Sequence, residues 1–287
     1  MSPIVFDLTN IGSGTNAHEL LRQKSLFVPS QKLTFSILAW FNYGKKTMKI
    51  SVCMTVYNGE KFLQEQLESI LCQLSTLDEV IIVNDCSKDH SLDIIHSFQD
   101  KRIEIFSNEK NIGVIKSFER ALQKASGDLI FLSDQDDVWM PDKVTKTIAA
   151  FDSPEILGIV SDAIVVGPCL EILNDSFFSL RKSGPGLIKN FYKNSFVGCC
   201  MAIKKETKKL ILPFPKLISM HDEWIGFVLS VSGRVKFIPE KLILYRRHDN
   251  NITFLKNKNI IFTLKRRFWN AIAFLKYFFK NHYICLI

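Results

Sequence analysis

From Lys49 onward the chain alternates short apolar runs with amphipathic stretches. KISVCMTV predicts a strand. In EKFLQEQLESILCQL, Leu63, Leu67, Ile70, Leu71 and Leu74 recur at helical spacing, with acids early, where the helix dipole favours them. EVIIVND is too brief for a helix and rich in β-branched residues, so it predicts a second strand. The cycle repeats as SLDIIHSF (helix), RIEIFS (strand), IKSFERALQKA (helix) and LIFLS (strand), and Pro141 opens another helix through Phe151. Such alternation predicts a parallel sheet covered on both faces. Ligands of open sheets of that kind sit beyond the carboxyl ends of the strands, and both VNDCS and SDQDD lie at such ends.

After Phe151 the alternation weakens. Strand candidates remain at LGIVSD and GCCMAI, KSGPG reads as a turn, and a helix runs from Asp222 to Val231. No internal repeat or low-complexity linker divides the chain, which favours one continuous domain over 48–250 with a modified second half. Residues 1–47 lack the rhythm, and Met48 stands immediately before the first strand. This leader reads as an accessory segment or as the product of an over-long choice of start codon. Residues 251–287 read as a basic amphipathic tail.

Composition narrows the class. The chain has 287 residues with 47% hydrophobic content, ample for a real core. The longest stretch free of Asp, Glu, Lys and Arg is the 12-residue LTFSILAWFNYG, short of the roughly 18–20 apolar residues of a spanning helix. Acids precede that stretch and lysines follow it, the reverse of a secretory signal. The seven cysteines are scattered, with no C-x-x-C pair, which fits a reducing cytoplasm.

Seven of the +8 net charges come from Lys256, Lys258, Lys265, Arg266, Arg267, Lys276 and Lys280. At about 100° per residue, a helix there brings Lys258, Lys265, Lys276 and Lys280 to nearly one azimuth. Ile261, Leu264, Phe268, Ile272, Leu275 and Phe279 fall on an adjoining face. This describes an interfacial helix on anionic lipid, or a helix docked on the domain by its apolar side. No nucleic-acid-binding module accompanies the charge.

LIFLSDQDDVW runs an apolar strand straight into Asp134, Asp136 and Asp137. Three anions within four positions repel one another, so a positive partner is expected. An Asp-x-Asp at a strand end suits Mg²⁺ or Mn²⁺, which favour oxygen ligands shared with substrate phosphates. The alternative is a loop leading into a helix, with Asp137 capping the segment before Pro141.

TVYNG follows the first strand, NDCS the second, SMHDEW precedes a helix and YRRHDNN follows a late strand. Together with the acidic turn, and in this order, they resemble the family 2 glycosyltransferases over Lys49 to Asn251. The resemblance implies an α/β fold of the glycosyltransferase A type, a Rossmann-like and mostly parallel sheet flanked by helices. It also implies an inverting transfer from a nucleotide-sugar donor. Thr55 and Tyr57 would form the base and ribose pocket, with Asp85 holding the base. Tyr57 has aromatic core packing as its alternative. Asp134 would face the ribose or metal shell, and Asp136 would ligate the Mg²⁺ or Mn²⁺ that bridges both phosphates. His248 would complete the metal or diphosphate site, or else lie on a basic surface loop. Asp222 matches the catalytic base, with Glu223 as its competitor. Trp139 either covers the donor or is a buried indole, and Lys116 either approaches a phosphate or is solvated. Asn84-Asp85-Cys86 departs from the paired acids and glycine that many relatives carry there.

SDQDDVW with YRRHDNN resembles rhamnosyltransferase-type members, which implies a dTDP-rhamnose donor, with a UDP-hexose as the alternative. The implied acceptor is a growing surface polysaccharide, such as lipopolysaccharide, or a lipid-linked glycan at the cytoplasmic face of the membrane. Two rivals stand outside that class. DQDDV satisfies the Asp-x-Asp-x-Val of haloacid-dehalogenase-type phosphatases, which carry it on their first strand, and a catalytically silent nucleotide-sugar binder would share the donor site.

Overall fold

The computed structural model describes residues 48–192, 194–249, 269, 270, 272–277 and 279. The leader over 1–47 and most of the basic tail lie outside the described residues. The first half follows the expected alternation: β1 (Ile50–Val56), α1 (Leu63–Leu71), β2 (Glu79–Asn84), α2 (Ser91–Ser97), β3 (Ile103–Ser107), α3 (Val114–Lys124) and β4 (Leu129–Ser133). Then come β5 (Val138–Trp139), α4 (Lys143–Ala150), β6 (Ile156–Val166), β7 (Ile172–Asn174), α5 (Phe177–Arg181), α6 (Leu187–Tyr192), β8 (Met201–Lys204), α7 (Lys208–Ile211), α8 (His221–Ser232) and β9 (Arg234–Arg246).

The strands form one nine-stranded sheet in the order β3-β2-β1-β4-β8-β6-β9-β5, with β7 beside β6. The first four strands are parallel. β8 enters antiparallel to both β4 and β6, and β9 runs parallel to β6. The sheet is therefore parallel where the alternation is strict and mixed where it weakens. Strand order reverses at β1, which lies between β2 and β4, and the loops after β1 and β4 flank that crevice.

Burial follows the apolar runs. Every residue of β2 and β4 is buried, as central strands of a two-sided sheet require. α3 seals the sheet with Phe118, Ala121 and Leu122, all fully buried. Full burial of a Leu or Phe contributes about 1.5–3 kcal/mol. At the opposite end of the sheet from the crevice, Glu79 is 6% exposed. Burial would raise its pKa, but hydrogen bonds from Lys49, Ser51 and Ser126 hold it down to about 2.

One expected strand begins late. GCCMAI opens as a 3-10 turn over Gly198–Cys200, and β8 starts at Met201. The ladder with β4 runs only from Phe131↔Ala202 to Leu129↔Lys204, because beyond Phe131 the end of β4 leads into the acidic turn. Residues 198–200 thus have no ladder to join and fold inward.

Cys86 adopts a left-handed backbone, φ 64°. For a side-chain-bearing residue this costs roughly 1–2 kcal/mol, against the roughly 0.5–1 kcal/mol that glycine loses in chain entropy. Cys86→Gly should therefore raise the urea midpoint, with an unchanged slope, by the equivalent of about 0.5–1 kcal/mol. An unchanged or lower midpoint would assign comparable worth to the Cys86 contact with the Glu109 carbonyl, 3.8 Å away.

Candidate active site

The loops flanking the crevice are tied together by one side chain. Gln135 accepts from the Tyr57 N–H at 2.8 Å and donates to the Tyr57 carbonyl at 3.2 Å. A Cβ on Gly59 would lie 2.6 Å from the Gln135 amide oxygen, so glycine is what lets the two loops approach. From α1, the fully buried Gln66 donates to Ser133 Oγ at 2.8 Å and to the Asp134 carbonyl at 2.9 Å. The backbone of the acidic turn is therefore fixed before its charges are considered.

Asp137 is fully buried and accepts from the Arg246 N–H at 2.9 Å, so it joins the turn to β9 and does not cap the next helix. Asp134, Asp137 and Cys199 each bring a ligand atom within 4.8 Å of the other two. Asp136 Oδ2 meets His248 Nε2 at 2.8 Å. The Arg246 guanidinium, its side chain 2% exposed, donates to the Asp136 carbonyl, the Pro168 carbonyl and Glu65, and lies 4.5 Å above the Phe62 ring. Phe62 also faces His248, with ring centroids 4.9 Å apart.

Burial first and neighbouring acids second favour the protonated forms of Asp134 and Asp137. Burial, then the Asp136 and Asp222 charges, push the Asp134 carboxyl up to about 7. Burial and the same turn raise Asp137 well above the carboxylate range. Behind them Lys143 is 1% exposed, donates to the Cys199 carbonyl at 3.3 Å and has its pKa lowered by burial. An oxygen-rich set short of positive charge, with a histidine nitrogen at its rim, is the donor chemistry Mg²⁺ or Mn²⁺ takes. Among the described residues the ligand atoms that come together are those of Asp134, Asp137 and Cys199, with the Asp136–His248 pair in the same turn's surroundings.

α8 contributes the facing carboxylate. Asp222 and Glu223 both lie in its first turn, where the helix end favours negative charge. Asp222 acts electrostatically on Asp134, whereas Glu223 is 3% exposed and accepts from Ser219 Oγ at 2.5 Å. The two thus have different partners: Asp222 Oδ1 accepts from the Glu223 N–H at 2.6 Å and its charge reaches Asp134, whereas Glu223 is held by Ser219.

The remaining candidates divide. Thr55 is half-buried on β1 and Tyr57 is 48% exposed at the crevice, so the tyrosine is not core packing. Asp85 sits at the end of β2, 3% exposed, with both oxygens engaged: Oδ1 accepts from Asn108 Nδ2 and the Ile112 N–H, Oδ2 from the Gly113 N–H. Its carboxylate holds the loop before α3, a duty that the strand-end position alone did not reveal. Trp139 is 1% exposed and packs on Phe131, and Lys116 pairs with Glu119 on its own helix. The Asp-x-Asp-x-Val motif follows the fourth strand, contrary to the phosphatase arrangement. Gln66, Gln135, Cys199 and Arg246 went unassigned in the sequence. Two of them lay inside quoted motifs, Gln135 in SDQDDVW and Arg246 in YRRHDNN.

A sheet that reverses order beside an acidic turn, faced by a carboxylate at a helix start, has the architecture of the glycosyltransferase A type. The chain belongs to glycosyl transferase family 2, whose model matches residues 51–207. It is 30% identical to the dTDP-rhamnosyl transferase RfbG of Shigella flexneri, over 69% of this chain and 72% of that one. Among solved structures, S. aureus TarS 1-349 in complex with UDP-GlcNAc superposes with a TM-score of 0.60 at 22% identity, over 71% of this chain and 60% of that chain. The mannosyltransferase PcManGT from Pyrobaculum calidifontis, in complex with GDP-Man and Mn²⁺, superposes at 0.56 and 17% identity, covering 76% of this chain and 65% of that chain.

Two outcomes follow from this geometry. A carboxyl raised to about 7 is protonated below that pH, and a cation needs it ionised. Mn²⁺ affinity, measured calorimetrically, should fall as pH drops through 7, approaching about tenfold per unit, with proton release on binding. Arg246→Lys removes the planar fork and leaves acceptors unmet. It should lower the unfolding free energy by about 2 kcal/mol in urea titrations and weaken Mn²⁺ binding in parallel.

Proposed function

We propose that the protein is a metal-dependent inverting glycosyltransferase that moves a sugar from a nucleotide-diphosphate donor to a growing cell-surface polysaccharide or lipid-linked acceptor. The observation that carries this reading is the acidic turn at the end of the parallel strands with the Asp222 carboxylate near enough for its charge to raise the Asp134 pKa, while Glu223 is engaged by Ser219. A hydroxyl is a poor nucleophile, and a carboxylate facing the donor takes its proton as the bond to the sugar forms. Asp222 has that role.

Asp136 and His248 hold the divalent cation, with Asp134 at the ribose or in the metal's surroundings. The ion supplies electrostatic stabilisation of the charge that grows on the departing diphosphate. Tyr57 and Thr55 receive the nucleoside at the mouth of the crevice. Asp85 holds the base from the end of β2, and its carboxylate also fastens the loop before α3.

The likeness to RfbG supports dTDP-rhamnose as the donor. TarS, solved with UDP-GlcNAc, supports a UDP-hexose as the competing choice. The C-terminal helical residues support work at a membrane surface. Leu275 and Phe279, two members of the apolar face expected from the sequence, are 51% and 55% exposed beside the exposed Lys276. No helix among the described residues is long and apolar enough to cross a membrane. Peripheral contact with anionic lipid at the cytoplasmic face fits this arrangement.

The test is a calorimetric titration with dTDP, UDP and GDP, with and without Mn²⁺, beside turnover of the matching nucleotide sugar. Asp222→Asn should keep nucleotide binding and lose transfer by about 10²–10⁴-fold. Asp136→Asn should damage both. Undiminished transfer in the Asp222 variant would remove it as the base, and metal-independent binding of all three nucleotides would remove the acidic turn as the donor site.

A further inference from the structure

The first turn of α8 is fixed partly from within, since Asp222 Oδ1 accepts from the Glu223 N–H at 2.6 Å, and partly by the residues just before it. The Met220 side chain makes no capping hydrogen bond. His221 is 2% exposed and stacks on Phe118 with ring centroids 3.9 Å apart, but neither of its ring nitrogens has a hydrogen-bond partner among the described residues. Packing alone therefore holds the histidine.

The remaining polar fixing comes from far along the chain. Asn270 Oδ1 accepts from the Ser219 N–H at 2.9 Å, and Asn270 Nδ2 donates to Ser219 Oγ at 2.8 Å. Ser219 Oγ in turn donates to Glu223 Oε2 at 2.5 Å. Each group has one consistent role: the amide grips both the backbone and the hydroxyl of Ser219, and the hydroxyl proton is left for Glu223. Asn270 is 9% exposed, so water competes little for these bonds.

The helical residues that carry Asn270 follow α8 along its length. Ala273 is 4% exposed, Phe274 lies 6.1 Å from Phe227, and Tyr277 sets its edge on Trp224 at 5.5 Å. Trp224 is anchored from its other side, donating to the Ile211 carbonyl at 2.9 Å. Positions 270, 273, 274 and 277 form one helix face, distinct from the outward Leu275 and Phe279.

We propose that Asn270 is a positioning residue for the catalytic base: through Ser219 it holds Glu223 aside and fixes the first turn of α8, so that Asp222 alone faces the donor. Neighbouring helical residues point about 100° apart, and a slip of the first turn by one position would exchange the two acids. The inference rests on the assignment of Asp222 as base. Asn270 touches no reacting atom, and its effect is on geometry, to which proton transfer is steeply sensitive.

The experiment compares the full chain with Asn270→Ala, Ser219→Ala, the double variant and Tyr277→Ala. The readouts are release of dTDP from dTDP-rhamnose, or of UDP from a UDP-hexose, with Mn²⁺ and a lipid-diphosphate-linked sugar acceptor, together with nucleotide affinity and thermal midpoint. Asn270→Ala should lower kcat by about tenfold or more, with donor KM and nucleotide affinity within about twofold of the parent. The loss should not add to that of Ser219→Ala. Tyr277→Ala, which leaves the Ser219 bonds in place, should lower the midpoint with less effect on kcat. An unchanged kcat in Asn270→Ala, or kcat losses in the Asn270 and Tyr277 variants that simply follow their midpoints, would overturn the inference while leaving the transferase reading intact. A parent chain without turnover of any nucleotide sugar would overturn both.

Discussion

The buried guanidinium of Arg246 is the constraint on which the site depends. It reaches the Asp136 carbonyl, the Pro168 carbonyl and Glu65 while covering Phe62, and its own N–H holds Asp137. A buried charge is tolerable only when paired and hydrogen-bonded on all sides, and a planar fork can meet several fixed acceptors at once. This one residue at the end of β9 therefore joins α1, the acidic turn and the loop after β6. Without it, the turn after β4 would keep its ties to Gln66 and Gln135 but lose those to β9 and the loop after β6.

That pin does not neutralise the site. Asp134 and Asp137 both have raised pKa values, from burial first and neighbouring acids second. A carboxyl raised in the folded state makes the fold less stable as pH rises from the ordinary carboxylate range to the raised value. For Asp134 that window ends at about 7. The strain persists because Gln66, Gln135 and Arg246 over-determine the backbone around it, and a divalent cation is the chemistry that relieves it.

This division explains what the sequence made legible. The parallel half was readable because each strand and helix there is defined by its own periodicity and packs on its sequence neighbours. The Asp-x-Asp turn, Asp222 and His248 were readable as candidate chemistry because three carboxylates within four positions repel one another and because the motifs fall in a recognisable order. Gln135, Gln66 and Cys199 were not, since an amide or a thiol carries no charge pattern and takes its meaning from a loop or strand far away in sequence. Asp85 is a different case: its type and position suggested a ligand, and only three-dimensional proximity to Asn108, Ile112 and Gly113 revealed that it also has internal partners. The late start of β8 has the same origin, because where β4 leaves the ladder cannot be read from GCCMAI itself.

The two faces of the crevice are thus built by different means. The donor side stands on the parallel strands and is fastened by short-range loops and one arginine. The side that bears Asp222 stands on α8, which meets the sheet through β6 and β9 and is braced by helical residues near the C-terminus. Changes in the long second half can therefore reshape the surroundings of Asp222 while the acidic turn keeps its geometry. The brace on α8 is the part of the molecule through which such changes reach the surroundings of Asp222.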